Sequence, residues 1–199
     1  MLLTSKVVML TGARRMGAVI ADRLTAQGAS IVATYRGSSA DADAIVAAAR
    51  ARGVDAEALQ GDVADADSVA QMIQAVDARF GRLDVLVNMA SVYEAVPFTS
   101  MTEADWHRSL SVDLHGTFRM CHAAVPLMRR SGGGRIINFT DWVAASGRPR
   151  YPGYVAYYVA KAGVKALTEA LALELARDGI LVNAVAPGPI LAPPETSEA

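Results

Sequence analysis

Short apolar runs alternate with stretches of helical periodicity along nearly the whole chain. Val7 to Leu10 is continuously apolar and breaks into Thr11-Gly12-Ala13-Arg14-Arg15-Met16-Gly17, after which a helical pattern runs through Leu24 to Gln27. Gly28-Ala29 closes that helix, and Ile31 to Thr34 is a second run, ending in Tyr35-Arg36-Gly37-Ser38-Ser39. Ala40 to Arg52 reads as an Ala-rich helix stopped by Gly53, and Glu57 to Gln60 as a third strand leading to Gly61-Asp62-Val63. Asp67-Ser68 opens a helix to Phe80, with Asp65 or Asp67 as its cap. Leu83 to Val87 is a fourth strand that delivers Asn88-Met89-Ala90-Ser91. Unbroken apolar runs suit strands buried on both faces. Their strict alternation with helices predicts an α/β fold: one doubly wound, Rossmann-like parallel sheet with helices on both faces.

The second half keeps the order but loosens it. An irregular stretch, Tyr93 to Ser100, precedes a helix start at Thr102-Glu103-Ala104-Asp105 and a long helical pattern through Arg130. A turn at Ser131 to Gly134 leads to a fifth strand, Arg135 to Phe139, which ends in Thr140-Asp141. Ser146 to Gly153 is too rich in Gly, Pro and Arg for a helix. A helix follows from about Tyr154 to Arg177 and is ended by Gly179. Leu181 to Val185 is a sixth strand, and Ala186-Pro187-Gly188-Pro189-Ile190 turns away from it. The polar tail to Ala199 is expected to be loose. With no repeat and no linker, residues 1–199 read as a single domain.

Composition narrows the class. At 52% apolar, with four Phe and two Trp, the core must be built from Val, Ala, Leu and Ile. Nineteen basic residues against twenty acidic give a net charge of −1, so no basic footprint points to nucleic acid or an anionic membrane. No apolar run approaches the roughly 18 residues of a membrane span, and the start reads as a strand rather than a signal peptide. The single cysteine, Cys121, fits a reducing compartment, and a cytoplasmic protein is expected. His107, His115, Cys121 and His122 share one helical stretch, but 107 and 115 lie about 80° apart on a helical wheel, and no His pair has the i, i+4 spacing of ligands. No metal is expected.

In doubly wound sheets, ligands sit outside the carboxyl ends of the strands. The glycine turn at Gly12 to Gly17, between strand and helix, suits a pyrophosphate at a helix N-terminus. Where an acidic residue after the second strand would bond the 2′-hydroxyl of NAD, this chain has Tyr35-Arg36 with Ser38. Arg36 argues for NADP, with Arg14 or Arg15 as a second cation. Tyr157 and Lys161, four apart on a helix, put a phenol beside an ammonium. That charge is expected to draw the phenol down toward the working range of a general acid. Tyr158 could reach the same ammonium, and spacing alone does not choose between the two tyrosines.

Taken together, Thr11-Gly12 with Gly17, Asp62-Val63, Asn88-Met89-Ala90-Ser91, Tyr157/Lys161 and Pro187-Gly188 resemble the short-chain dehydrogenase/reductase family over essentially the entire chain. The resemblance selects Tyr157 as the catalytic acid. It implies that Lys161 also bonds the nicotinamide ribose, that Asp62 and Val63 flank the adenine, and that Asn88 and Ala90 line the cofactor. Pro187, Gly188 and Ile190 would lie near the nicotinamide. Asp141 stands where the family has a substrate-orienting serine. There, and in Arg15-Met16-Gly17, the chain is similar to the pteridine-reductase branch, in which Tyr93 would stack on a pterin ring. An ionised carboxylate only accepts hydrogen bonds, so Asp141 must be protonated, meet a substrate N–H, or work through Tyr157. The resemblance thus implies an NADPH-dependent reductase of a C=O or C=N group, with a pterin favoured. The alternatives are a general carbonyl or 3-oxoacyl reductase and a non-catalytic NADP-binding protein.

The chain departs from the family in several places. Gly12 and Gly17 are five apart, in a turn one residue shorter than usual. Asp141 precedes Tyr157 by 16 positions, Met89 replaces a second asparagine, and Asp113 stands where many members have asparagine. The family's last helix and strand are expected to be missing, as in a fragment or a shortened member with an open substrate pocket. The apolar surplus of the helices at 105–130 and 154–177 predicts a homo-oligomer joined through them.

Overall fold

A computed structural model describes residues 3–190. Six parallel strands form one sheet: β1 Val7–Thr11, β2 Ser30–Tyr35, β3 Ala56–Gln60, β4 Val85–Asn88, β5 Gly134–Phe139 and β6 Ile180–Val185, in the order β3-β2-β1-β4-β5-β6. The strand order reverses between β1 and β4, which opens a crevice at their carboxyl ends. The helices are α1 Met16–Ala26, α2 Ala40–Ala51, α3 Ala66–Phe80, α4 Glu103–Ser109, α5 Thr117–Arg130, α6 Trp142–Ala145 and α7 Val155–Glu174. Side chains of α1 and α2 bury Val8, Leu10, Ile31 and Ala33 on one face of the sheet. On the other face, α3 and α5 cover Met9, Val32, Leu86 and Ile136. All five residues of β1 are buried, the signature of a central strand covered on both sides. The doubly wound α/β sheet predicted from the apolar runs is therefore the one observed.

Local chemistry sets the boundaries. Asp65, not Asp67, caps α3, its carboxylate accepting from Ser68 N at 2.6 Å. Thr102 and Asp105 form a reciprocal capping box at α4, which stabilises such an end by about 1 kcal/mol. β4 starts at Val85, two residues later than the apolar run suggests, because Asp84 turns its carboxylate to Val7 N, Lys6 and Arg82. The long helix expected to reach Arg130 is interrupted by a π-helical turn, Leu110–Gly116, and Trp142–Ala145 is a helix the sequence pattern did not disclose.

Among the described residues the sheet ends at β6, where Leu181 and Val185 stand exposed. The tail expected to be loose lies outside the described residues from 191 onward. No helix among the described residues is long and apolar enough to cross a membrane.

Candidate active site

The carboxyl ends of the strands open into one cleft of about 1280 Å³. Its floor at one end is the β1–α1 turn. Gly12 adopts φ +89°, and a Cβ on Gly17 would lie 2.3 Å from the Gly12 carbonyl oxygen, so the shortened turn closes only with glycine at position 17. The turn is fastened to the neighbouring strand by Thr11, whose hydroxyl accepts from Met89 N at 3.0 Å and Ala90 N at 3.1 Å. Arg14, Arg15, Tyr35, Arg36 and Ser38 line this end, and Asp62 and Val63 its side. Arg14 faces Asp41 at 3.6 Å with both side chains exposed, an ion pair too solvated to hold it. A glycine cradle, a helix N-terminus and the cations Arg14, Arg15 and Arg36 beside them fit a nicotinamide dinucleotide.

At the other end stand Asp141, Tyr157 and Lys161. Tyr157 donates its phenolic hydrogen to Asp141 Oδ2 at 3.0 Å. The other carboxylate oxygen accepts from Val143 N at 2.8 Å, so Asp141 is also the N-cap of α6. Of the three roles open to Asp141, the geometry shows a direct bond to Tyr157. Lys161 is buried; it donates to the Phe139 carbonyl at 2.9 Å and pairs with Asp113 at 3.0 Å. Its Nζ lies 5.7 Å from the centre of the Tyr157 ring. α7 reaches this position because Gly163 has no side chain: a Cβ there would come within 2.9 Å of Leu114 in the π-helical turn. Tyr158 also lines the cleft.

The phenol does not behave as its neighbour Lys161 alone would dictate. Burial first, then the charge and hydrogen bond of Asp141 and the charge of Asp113, push Tyr157 well above the ordinary tyrosine range. The expected lowering by Lys161 is thus overturned: the ammonium is matched by one carboxylate while a second bonds the phenol. Tyr93 stacks on Tyr154 at 4.5 Å and meets Tyr157 edge-on at 4.9 Å, so three aromatic rings wall this end. Partial burial and Tyr154 raise the Tyr93 phenol to about 12.

Of the residues expected from the sequence to serve catalysis, cofactor or substrate, all but one line this cleft: Ala90, Pro187, Gly188 and Ile190 join those already named. Asn88 does not. It is buried, its amide donating to Asn138 at 2.9 Å, while the Asn138 amide donates to Thr168 at 2.9 Å. Thr11, Asn88 and Asn138 are register partners across β1, β4 and β5, so this polar row locks the strand ends that carry the site. Burial pushes the Cys121 thiol up to about 12, which leaves it no nucleophile. Among the described residues no three His, Cys, Asp or Glu side chains gather to hold a metal. Missed from the sequence were Trp142 and Tyr154 as cleft walls; Asp113, noted there only as standing where many members have asparagine, is the direct partner of Lys161. The signal for Asp113 was present: a lone carboxylate between Leu110, Val112 and Gly116 on the apolar side of a helix.

Comparison with known proteins agrees with the geometry. The family model described as short chain dehydrogenase matches residues 6–198. The 3-oxoacyl-[acyl-carrier-protein] reductase FabG of Staphylococcus aureus is 43% identical over 185 residues, covering 92% of this chain and 74% of that one. The 3-oxoacyl-[acyl-carrier-protein] reductase of Synechocystis is 42% identical over 187 residues, 94% of this chain and 74% of that one. Among solved structures, acetoin dehydrogenase from Enterobacter cloacae superposes with a TM-score of 0.88 at 37% identity, covering 96% of this chain and 75% of that one. NAD+-bound xylitol dehydrogenase gives 0.86 at 31% identity, covering 94% and 71%. With the strand order, the glycine turn and the Tyr157/Lys161 pair in place, the chain belongs to the short-chain dehydrogenase/reductase family of nicotinamide-dependent oxidoreductases.

Proposed function

We propose that the protein is an NADPH-dependent reductase of a small carbonyl substrate, with a 3-oxoacyl thioester as the best-supported substrate class. The observation that carries this reading is the Tyr157 phenol facing the cleft with its proton held, at the opposite end from a glycine turn and Arg36. The nicotinamide supplies a hydride to the carbonyl carbon when bound. Tyr157 turns its hydroxyl from Asp141 to the substrate oxygen and gives up the proton as charge develops there. Lys161, fixed by Phe139 O and Asp113, reaches toward the ribose, and Arg36 with Arg14 or Arg15 meets the 2′-phosphate. The 41–43% identity to several 3-oxoacyl-[acyl-carrier-protein] reductases supports the thioester over other ketones.

A pterin is the second reading, favoured by a carboxylate at Asp141 in place of a donor and by the half-exposed ring of Tyr93 in the cleft. Asp141 would then accept from the ring N–H groups. Association of copies through α5 and α7 is supported by exposed Phe118, Val159 and Leu173. A cytoplasmic site of action accords with the unpaired thiol of Cys121.

The test is NADPH oxidation by the purified chain with an acetoacetyl thioester, a dihydropterin and simple ketones. Thioester reduction in preference to the pterin is expected, and reduction of the pterin alone would transfer the assignment to it. Arg36→Asp should weaken NADPH at least tenfold more than NADH, and equal loss for both would remove the 2′-phosphate from Arg36.

A further inference from the structure

Asp141 and Tyr157 stand 16 positions apart, and that length is spent on α6 and the loop after it. Glycines in the left-handed region bound the loop, Gly147 at φ +66° and Gly153 at φ +85°. Both ends are fastened. Gly147 N donates to the Ala144 carbonyl and the Ser146 hydroxyl to that of Val143, while Val96 N donates to the Gly153 carbonyl at 2.8 Å. Between these ties, Pro149, Arg150 and Tyr151 wall the same cleft as Asp141 and Tyr157.

The guanidinium carbon of Arg150 lies 5.1 Å from the centre of the Trp142 ring. Trp142 is itself fixed beside the reacting groups: it follows Asp141 directly, its N donates to the Pro187 carbonyl at 3.2 Å, and a Cβ on Gly188 would lie 3.9 Å from its Cδ1. The Arg150 charge is thereby held where Asp141 and the Pro187-Gly188 turn meet. An aromatic face attracts a cation but leaves its N–H donors to other partners. Among the described residues, no carboxylate and no carbonyl takes those of Arg150. Its neighbours differ. Lys161 is matched by Asp113 at 3.0 Å and Arg108 by Glu94 at 2.6 Å, while the Asp141 carboxylate is taken up by Tyr157 and Val143 N. A guanidinium resting on a ring in a cleft wall, with its donors open, matches an oxyanion in a two-point fork.

We propose that Arg150 is a specificity-determining residue that receives an oxyanion, carboxylate or phosphate, carried by the carbonyl substrate. The inference rests on the reductase reading above and adds the charge of its substrate. No bond is made or broken at Arg150; the fork holds one end of the substrate while the carbonyl lies against Tyr157. Two sources supply such a group: the carboxylate of a free 3-oxo acid, or the phosphate on the pantetheine arm of a thioester.

The test compares charged and neutral members of matched pairs: acetoacetate with its methyl ester, and acetoacetyl phosphopantetheine with acetoacetyl pantetheine. The parent should favour the charged member of at least one pair by about tenfold or more in kcat/KM, through KM rather than kcat. Arg150→Met, which keeps an apolar stem for Trp142, should erase that preference, and Arg150→Lys should restore part of it. The pair that responds names the source. An Arg150 that only shapes the loop would cost both members of a pair alike on replacement; that result overturns the proposal, as does a parent without preference in either pair. Binding gives a readout independent of turnover. Trp142 emission, taken as the difference from Trp142→Phe, should change on titration with acetoacetate or phosphopantetheine in the parent and not in Arg150→Met. That signal in a protein that reduces nothing would uphold Arg150 and remove the reductase reading; its absence there would remove both.

Discussion

The two ends of the sheet each bury one carboxylate in nearly the same way. At the amino ends Asp84 takes Lys6, Arg82 and Val7 N; at the carboxyl ends Asp113 takes Lys161, Ser91 and Val92 N. The difference lies in the cations. Lys6 and Arg82 keep 45% and 37% of their side chains in solvent, whereas Lys161 keeps 4%. A cation that can return to water leaves little behind when its partner is lost, so Asp84 is a clasp between β1 and β4. Lys161 has no such exit, and a phenol stands beside it. The same constellation serves stability where it faces solvent and chemistry where it faces the cleft, and what decides is the reactive neighbour and the burial of the cation.

The sharpest break between the two ends is in catalysis. Tyr157→Phe should lower the rate of NADPH oxidation by about 10²–10⁴, the usual worth of a positioned general acid, with cofactor binding kept. Asp84→Ala should leave the rate within about twofold, because nothing at the amino ends touches the cleft. Steady-state rates for both variants check this, and a large loss from Asp84→Ala would dissolve the distinction.

Stability comes next. Asp113→Ala leaves an ammonium buried without its partner, a change that costs about 3–5 kcal/mol. Urea denaturation of the variant against the parent measures it. A loss no greater than that of Asp84→Ala would mean that Lys161 finds water after all.

This contrast also marks what the sequence could carry. The unbroken apolar runs of β1, β2 and β4, with glycines and polar residues after each, were enough for the parallel sheet and for the cleft at its carboxyl ends. Asp141, Tyr157, Lys161 and nearly every proposed cofactor residue line that cleft, because position after a strand is itself the signal. Where a side chain turns is another matter. Asn88 follows the same rule yet turns inward to Asn138, since its register partner offers it a bond. Helical spacing puts the Lys161 ammonium beside Tyr157, but nothing in the spacing tells that Asp113, 48 residues earlier in the chain, is already in contact with it. The π-helical turn that brings Asp113 there leaves no trace in helical periodicity. Asp84 was missed for the opposite reason: one polar residue in an apolar run reads as the edge of a strand rather than as a clasp.

The smallest effect sharpens the amino-end half of the comparison. Burial alone would push the Asp84 carboxyl up, but hydrogen bonds from Arg82, Lys6 and Val7 N outweigh it and hold the group below the usual carboxylate range. A carboxyl depressed in the folded state binds its proton more readily once unfolded. Its contribution is therefore full above the unfolded value of about 4 and fades as pH falls through the lower folded value. Asp84→Ala should cost about 1.5–3 kcal/mol at neutral pH, the range for hydrogen bonds to a charged group, with the low end expected because Lys6 and Arg82 are free to rehydrate. The same substitution removes part of the acid sensitivity. Urea midpoints measured from pH 7 down to pH 3 should converge for parent and variant, most steeply below pH 4. Parallel curves would mean that the clasp holds by packing of the Arg82 and Lys6 stems rather than by charge, and the resemblance between the two buried carboxylates would then be one of shape only.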